Sequence, residues 1–360
     1  MQQSAVRRLV GGLAVAAATL LTVALATPAN AAAPTRFRVV PLVSDQAGRA
    51  PLVDADLVNA WGLALSPTSP LWVANNGTNT ATIYAGGVNG ATPTKAALTV
   101  TIPGGAPTGE VFNDTTDFVL PESTGGTGKA LFMFASEGGD ITAWNGSLGT
   151  HAAVVAHVDG AIFKGLAIVR FRGNSYLLAP DFHNARVDVF DAGFHFLPHA
   201  SHLLADPRLP AGYAPFNVFV PMGGHSVYLT FAKQGPDAMD ELHGPGLGFV
   251  DRFDTVTGER ERVASHGTLN APWGMAVAPA SFGRFAGALL VGNFGDGRIG
   301  AYRDGHFLGL LRANDRHPVA IDGLWGLLPG TPNTGGTGAL WFSSGPDDEQ
   351  HGLVGQILPA

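Results

Sequence analysis

The sequence predicts an all-β protein, a six-bladed β-propeller of four-stranded blades that its own N-terminal strand closes by completing the last blade. Glycine contributes 49 and proline 25 of the 360 residues, while charged residues make up only 14%. A composition this rich in turn formers favours a packed β protein and argues against coiled coils, helical bundles and disordered chains. The propeller itself is predicted by a repeated motif and by the strand pattern inside each repeat.

The repeated motif is a glycine, or a substitute for it, that is followed by a short apolar run. The equivalent positions are taken to be Gly62, Asp117, Gly165, Asn217, Gly274 and Gly326. The steps between them are 55, 48, 52, 57 and 52 residues. A repeat of about fifty residues is typical of propellers and other repeat folds, so six units fill the chain.

Each unit contains short runs of β-branched and aromatic residues that are typical of strands. In the first unit the runs are 62–65, 71–74, 81–84 and 97–102. The sixth unit ends after its third run, whereas the run 37–43 at the other end of the chain belongs to no unit. Pairing this orphan run with the last blade would close the ring and remove an open edge.

The first 31 residues are predicted to be a signal peptide, followed by one propeller domain over 32–360. Arg7 and Arg8 precede the apolar run 9–26, and 29–31 reads Ala-Asn-Ala, a pattern that signal peptidase accepts. The alternative is an uncleaved membrane anchor, because eighteen apolar residues are just long enough to span a bilayer. We expect a secreted, extracellular monomer with no membrane attachment after cleavage.

Charge and cysteine content exclude several function classes. The formal net charge is −7, and it becomes −9 when the two arginines of the signal peptide are removed. This charge offers no basic surface to a phosphate backbone, so no nucleic-acid partner is expected. The chain has no cysteine, which excludes disulfides, thiolate metal sites and a cysteine nucleophile.

The loops between the second and third strands of the units carry most of the polar side chains. Successive antiparallel strands place alternate loops on opposite faces, so residues about fifty positions apart meet at one mouth of the channel. The catalytic candidates on this face are Glu137, His183 and Lys233, which could polarise and move protons on a ligand. The ligand-binding candidates are Asn75, Asp181 and Asn293, although asparagine and aspartate also complete turns with their own backbone.

The same face carries acidic loops that could bind a metal ion. The candidate ligands are Asp237, Asp240, Glu241, Asp347 and Asp348. Carboxylate oxygens are the ligands that calcium prefers, so calcium is a possible cofactor, while a solvated charged rim is the alternative.

Three tryptophans, Trp61, Trp273 and Trp325, each precede the glycine of a repeat. They could fill gaps between neighbouring blades, which is the interpretation we favour. Alternatively they could form stacking platforms for sugar rings or other flat ligands at the mouth of the channel.

Several segments resemble one family. They include Asn-Ala-Trp-Gly at 59–62, Ala-Pro-Thr-Gly at 106–109, Lys-Gly-Leu-Ala at 164–167, Ala-Pro-Phe-Asn at 214–217, Gly-Asn-Phe-Gly-Asp-Gly-Arg-Ile at 292–299 and Asp-Gly-Leu-Trp-Gly at 322–326. Together they resemble an uncharacterised family of secreted bacterial proteins that is distantly similar to NHL-repeat propellers. The resemblance covers almost the whole chain after the signal peptide. It implies the fold and export, but no mechanism.

Three functions remain open from the sequence. The first is a propeller that binds a glycan, a small molecule or a protein at the channel mouth. The second is an enzyme at the same face, a metal-assisted hydrolase, lactonase or lyase, by analogy of fold alone. The third is a structural module of the cell envelope.

Overall fold

A computed structural model describes residues 35–222 and 225–360. The predicted signal peptide, residues 1–31, lies outside the described residues. Within the described residues, no helix is long and apolar enough to cross a membrane. The structure is almost entirely β, and its helices are short 3-10 turns: Asn76–Thr78, Val88–Gly90, Glu122–Thr124, Gly146–Leu148, Pro198–Ala200 and Ala280–Phe285.

The strands of the described residues are numbered in chain order. They are β1 (Phe37–Ser44), β2 (Leu52–Val53), β3 (Ala60–Ala64), β4 (Leu71–Asn75), β5 (Thr80–Ala85), β6 (Thr94–Lys95), β7 (Val100–Thr101), β8 (Pro107–Phe112), β9 (Phe132–Ser136), β10 (Asp140–Trp144), β11 (Ala153–His157), β12 (Ala167–Phe171), β13 (Asn174–Asp181), β14 (Arg186–Phe190), β15 (Tyr213–Phe219), β16 (Ser226–Gln234), β17 (Glu241–Leu242), β18 (Phe249–Asp254), β19 (Arg260–Ser265), β20 (Pro272–Val277), β21 (Leu289–Asn293), β22 (Ile299–Arg303), β23 (His306–Leu310), β24 (Leu324–Pro329), β25 (Leu340–Ser344) and β26 (Leu353–Pro359).

These strands form six small antiparallel sheets, which are the six blades of a propeller, so the predicted fold is confirmed. Blades one to five start with β3, β8, β12, β15 and β20, and blade six starts with β24. In each blade the chain runs outward from the first strand. Blade three has three strands, and a single bridge between Phe190 and Phe196 takes the place of its outer strand. Pro198 follows at once and begins a 3-10 turn, which ends extended pairing there.

Blade six is closed by the N-terminal strand, as the orphan run at 37–43 predicted. Strand β1 pairs antiparallel with β26 along its length, from Phe37 opposite Pro359 to Ser44 opposite Leu353. Phe37 is 1% exposed, and its ring lies 4.8 Å from that of Phe282 in blade five. Strand β1 therefore covers the outer edge of β26 in blade six and also packs against blade five.

The repeat position in blade two is Gly109, and the prediction of Asp117 was wrong. Gly109 lies in β8, the innermost strand of this blade, and a Cβ there would stand 2.2 Å from the backbone nitrogen of Leu166 in the next blade. This close approach requires glycine. The sequence pattern failed here because Glu110 follows the glycine, where the other blades carry an apolar residue.

The innermost strands share a β-bulge at the repeat motif. The register shifts there in blades one, two, four, five and six. Near the bulges, polar side chains donate to backbone carbonyls of the next blade: Thr108 Oγ1 to Phe163 O (2.7 Å), Asn217 Nδ2 to Trp273 O (2.9 Å) and Ser343 Oγ to Trp61 O. These three hydrogen bonds connect blade two with blade three, blade four with blade five, and blade six with blade one.

Aromatic rings fill the middle of the channel. Trp61 stacks on Trp325 with 3.7 Å between ring centroids, and Phe294 stacks on the other side of Trp325 at 3.8 Å. Trp61, Trp273 and Trp325 are at most 5% exposed, so they pack as fillers, the interpretation that we favoured from the sequence. This aromatic plug leaves a separate cavity at each end of the channel.

Candidate functional site

The upper cavity lies at the channel end that carries the loops between second and third strands. Its volume is about 240 Å³. The lining residues are Trp61, Lys164, Asp240, Glu241, His243, Phe294, Trp325, Asp348 and Glu349. Four carboxylates, one lysine and one histidine therefore surround a floor of aromatic rings.

Lys164 is the central charge of the upper cavity. Its side chain is 1% exposed, and its ammonium donates to Glu137 at 2.5 Å and to Asp240 at 3.1 Å. The same nitrogen lies 5.4 Å from the ring centroid of Trp61, within the range of a cation–π interaction. Burial acts to lower the pKa of Lys164, but the carboxylates of Glu137, Glu241 and Asp240 outweigh it and raise the pKa. Lys164 is therefore a permanent cation held by acids.

A chain of hydrogen bonds connects Lys164 with the opposite wall. Asn76 donates to Glu137 at 3.0 Å, and Asn59 donates to Asn76 at 3.3 Å and to Glu349 at 3.2 Å. The indole nitrogen of Trp325 donates to Asn59 at 3.0 Å. Side chains from blades one, two, three and six thus act as one network around the cavity.

The loop after β25, which carries Glu349, has an unusual backbone conformation. Asp347, Asp348 and Glu349 have φ angles of 57°, 54° and 64°, all in the left-handed region. A side chain makes that conformation costly, by about 1–2 kcal/mol per residue. Glu349 N donates to Gly345 O at 3.2 Å, which helps to hold this turn. The strained turn carries Glu349 to the cavity.

The carboxyl group of Glu349 in this cavity has a pKa near neutral pH. Burial is the largest cause, and the nearby Glu241 carboxylate adds to it, while the hydrogen bond from Asn59 and the charge of Lys164 act in the opposite direction. Together they raise the pKa of Glu349 to about 7. Such a carboxyl can donate or accept a proton at physiological pH.

Glu241 and His243 form a second ionisable pair on the loop of blade four. His243 Nε2 lies 3.1 Å from Glu241, whose side chain is 6% exposed. The hydrogen bond to Glu241 is the main reason that the pKa of His243 is raised, and the charges of Glu349 and Asp348 contribute. The imidazolium of His243 and the protonated carboxyl of Glu349 are therefore both available in the upper cavity.

Replacing Glu349 by glutamine should flatten the pH dependence of stability. Because the pKa of Glu349 is about 7 in the folded protein against 4.5 in the unfolded chain, the folded state binds the proton more tightly. Its stabilising contribution is full below about pH 4.5 and is lost as the pH rises to about 7, a change of at most about 3 kcal/mol. Urea unfolding at several pH values should show a smaller loss over this window in Glu349→Gln than in wild type. Asp348→Asn, a neighbouring exposed acid, is the control, and an identical slope in wild type and Glu349→Gln would contradict the assignment.

The three predicted ligand-binding residues are buried and bonded to their own loops. Asn75 donates to Thr80 and Thr82 at 3.1 and 3.0 Å. Asp181 is 0% exposed and accepts from Asn184 Nδ2 at 2.7 Å. Asn293 donates to Asp296 in its own loop at 3.1 Å and to Thr268 O, before β20, at 2.7 Å. These contacts fit the turn-completing alternative, and the structure places none of the three side chains in the lining of the upper cavity.

The predicted group of Glu137, His183 and Lys233 does not converge. Glu137 contacts the buried ammonium of Lys164, as described above. Lys233 instead donates to Ala211 O at 3.0 Å and lies over the ring of Tyr213, and His183 is exposed. Strand β16 therefore directs Lys233 toward the backbone of Ala211, and neither Lys233 nor His183 lines the upper cavity. Lys164 supplies the cation that the prediction gave to Lys233.

The predicted metal ligands do not form a metal site in the described part of the chain. No group of three or more His, Asp or Glu residues there is placed to hold an ion. Asp240 pairs with Lys164, Glu241 pairs with His243, and Asp237 accepts from the backbone of Met239 at 3.2 Å. The ammonium of Lys164 already pairs with Asp240, and its positive charge would repel a calcium ion placed beside that carboxylate. This donor set does not fit calcium.

Sequence reasoning missed Lys164 and Asn59, and it treated Glu349 only as one of the acids of its loop that could bind calcium. A signal for Lys164 was present, because the residue before the repeat glycine is aromatic in four blades, at Trp61, Phe216, Trp273 and Trp325, and is a lysine in blade three. The repeat gave no signal that Glu349 would reach the cavity, because its position depends on a left-handed turn formed by residues other than glycine.

Comparisons with known proteins give viral relatives, two of which match most of this chain. "Uncharacterized protein R648" of Acanthamoeba polyphaga mimivirus is 32% identical over 333 residues, covering 90% of this chain and 80% of the relative. "Uncharacterized protein L690" of the same virus is 32% identical over 336 residues, covering 89% of this chain and 86% of the relative. No protein-family model matches the sequence. The predicted bacterial origin and export remain predictions, because these relatives do not test them.

Solved structures share the fold at low identity. A structural genomics protein of unknown function from Bacteroides thetaiotaomicron has a TM-score of 0.54 at 11% identity, covering 90% of this chain and 76% of that one. A streptogramin B lyase has a TM-score of 0.47 at 12% identity, covering 91% of this chain and 98% of that one. At such identities the likeness extends to the fold alone.

Proposed function

The chain belongs to the family of the uncharacterised mimivirus proteins R648 and L690, and we propose that it binds a small hydroxyl-rich ligand, one sugar residue of a glycan, in the upper cavity. The observation that carries this proposal is the arrangement of carboxylates around the buried, charged Lys164. The predicted signal peptide supports binding outside the cell by a monomer.

Hydroxyl groups match the hydrogen-bonding groups that line the cavity. Asp240, Glu241, Asp348 and Glu349 supply carboxylate oxygens that accept hydrogen bonds. The indole nitrogen of Trp61 is a buried donor without a partner. A hydroxyl group donates and accepts at once, so a polyol satisfies both kinds of group. An anionic ligand would meet four carboxylates, which makes it a poor match.

The volume limits the ligand to one ring. The upper cavity, at about 240 Å³, is smaller than pockets for drug-sized molecules, which span roughly 300–1,000 Å³. A single sugar residue fits this size, and the rest of a glycan would extend past the exposed rim formed by Asp240, Asp348 and His243.

A sugar panel with two matched variants tests this function. We expect one or more neutral or amino monosaccharides to bind the wild-type protein by isothermal titration calorimetry. Asp348→Asn should weaken binding about tenfold or more, because a hydrogen bond to a charged group contributes about 1.5–3 kcal/mol. Asp237→Asn, on the same face but outside the cavity lining, should bind like wild type. If no monosaccharide binds, or if both variants weaken binding equally, the upper cavity is not a sugar site.

An acid–base enzyme at the same cavity is the second candidate. Glu349, with its pKa near 7, and the imidazolium of His243 are the observations that favour it. Such groups suit hydrolysis, lactone opening or lyase chemistry without a metal. Turnover of a bound sugar derivative that Glu349→Gln removes while binding persists would favour the enzyme over the binding protein.

A further inference from the structure

The opposite end of the channel holds a second cavity, which is larger and apolar. This lower funnel has a volume of about 350 Å³, within the range of small-molecule pockets. Its walls come from the innermost strands below the aromatic plug, and they include Leu63, Leu65, Val111, Ile168, Val218, Met275 and Leu327. The plug separates this cavity from the upper one, so the two sites are independent.

One acid interrupts the apolar wall of the lower funnel. The position after the repeat glycine, or after its substitute, is apolar in five blades and a glutamate in blade two: Leu63, Glu110, Leu166, Val218, Met275 and Leu327. All six residues line the funnel. They lie just below the plug, so Glu110 stands at the narrow inner end of the funnel rather than at its mouth.

Glu110 is buried with no side chain paired to its carboxyl group, which lies toward the backbone N–H of Ala74 in blade one. The residue is 7% exposed, and neither carboxyl oxygen forms a hydrogen bond. Burial raises the pKa of Glu110 well above its usual value, and the nearby backbone N–H of Ala74 only partly offsets this. An unpaired buried polar group is costly, and the leucine of three other blades would avoid that cost. A group retained at such a cost in a cavity wall is a candidate for ligand contact.

We propose that the lower funnel binds a lipophilic amine, whose apolar part lies against the funnel walls and whose nitrogen pairs with the carboxyl group of Glu110. The neutral amine takes the carboxyl proton, and the resulting ammonium and carboxylate form a pair that balances both charges. The carboxyl oxygens are covered in the unliganded protein, so rotation about the side-chain bonds of Glu110 accompanies binding. Other charged groups of the lining lie near the mouth, where Asp114 and Arg170 pair at 2.9 Å. His225 and the exposed Met222 also belong to the lining.

Ligands that share a tail and differ in their head group test this proposal. Octylamine, octanol and octanoate would be titrated by calorimetry into the wild-type protein and into Glu110→Gln and Glu110→Leu. We expect the wild type to bind octylamine at least tenfold more tightly than octanol, and octanoate more weakly than either. Glu110→Gln should bind octylamine and octanol equally, because the apolar walls remain. Glu110→Leu carries the residue of blades one, three and six and should unfold at the same temperature as wild type or higher, which shows that loss of preference is not loss of folding.

Three outcomes would overturn the proposal. The first is an amine preference that persists in Glu110→Gln. The second is a preference that disappears in Asp114→Asn instead, which would place the amine at the mouth. The third is a preference that disappears in Asp348→Asn, which would place it in the acidic upper cavity. Failure of sugar binding in the upper cavity would leave this proposal untouched.

Discussion

Deletion of residues 37–43 is expected to leave no folded monomer. Three residues of this segment, Phe37, Leu42 and Val43, are at most 1% exposed. Burial of a large apolar side chain contributes about 1.5–3 kcal/mol, so these three contribute about 5–9 kcal/mol. That is most of the roughly 5–15 kcal/mol by which a typical domain is stable. The deletion also uncovers the outer edge of β26, which would then pair with other chains.

Size-exclusion chromatography and circular dichroism of the deleted protein measure this result. Two point variants on β1 test whether the lost stability depends on burial of the side chain that is removed. Phe37→Ala should lose about 3–5 kcal/mol, because its ring packs on Phe282 in blade five. Val39→Ala should lose much less, because Val39 is 37% exposed. A deleted protein that remained monomeric and as stable as wild type would contradict closure by β1.

The fold was predictable because each blade repeats a local pattern that does not depend on distant contacts. Glycine beside an aromatic residue marked the innermost strand in three blades, and the unpaired run at 37–43 marked the closure. The pattern failed in blade two at Glu110, a charged residue in an apolar position, and in blade three near Pro198. Both failures occur where one residue departs from the repeat, and the first of them lies in a cavity.

The candidate site was less predictable, because side-chain direction depends on geometry that the sequence does not display. The prediction included Glu137, Asp240, Glu241 and Asp348, which the structure places around the upper cavity or its lysine. It chose Lys233 for its place after a second strand, whereas that side chain points toward Ala211. Lys164 was available from the repeat itself, as the one charged residue at a position otherwise held by aromatic rings and Thr108.

Replacing Lys164 by methionine should destabilise the protein by about 3–5 kcal/mol, because removal of one partner of a buried ion pair leaves the other charge uncompensated. Glu137 would lose its ammonium at 2.5 Å, and Asp240 its ammonium at 3.1 Å. Lys233→Met is the matched control: the same change on the same face, at a side chain that donates to a carbonyl oxygen and lies over the ring of Tyr213, should cost no more than about 1 kcal/mol. Free energies of unfolding from urea titrations give both values.

The double variant Lys164→Met, Glu137→Gln separates lost charge pairing from lost packing. If the cost arises from the uncompensated carboxylate, glutamine at 137 should recover part of it, and the double-mutant cycle should show a coupling of about 0.5–3 kcal/mol. If Lys164 acted only by filling space over Trp61, methionine would fill that space nearly as well, and Lys164→Met would be as stable as Lys233→Met.

Removal of the ammonium should also raise the pKa of Glu349 further, since Lys164 is one of the groups that lower it. The pH window over which Glu349 destabilises the fold would then move upward in Lys164→Met, a shift that a packing role for the lysine would not produce.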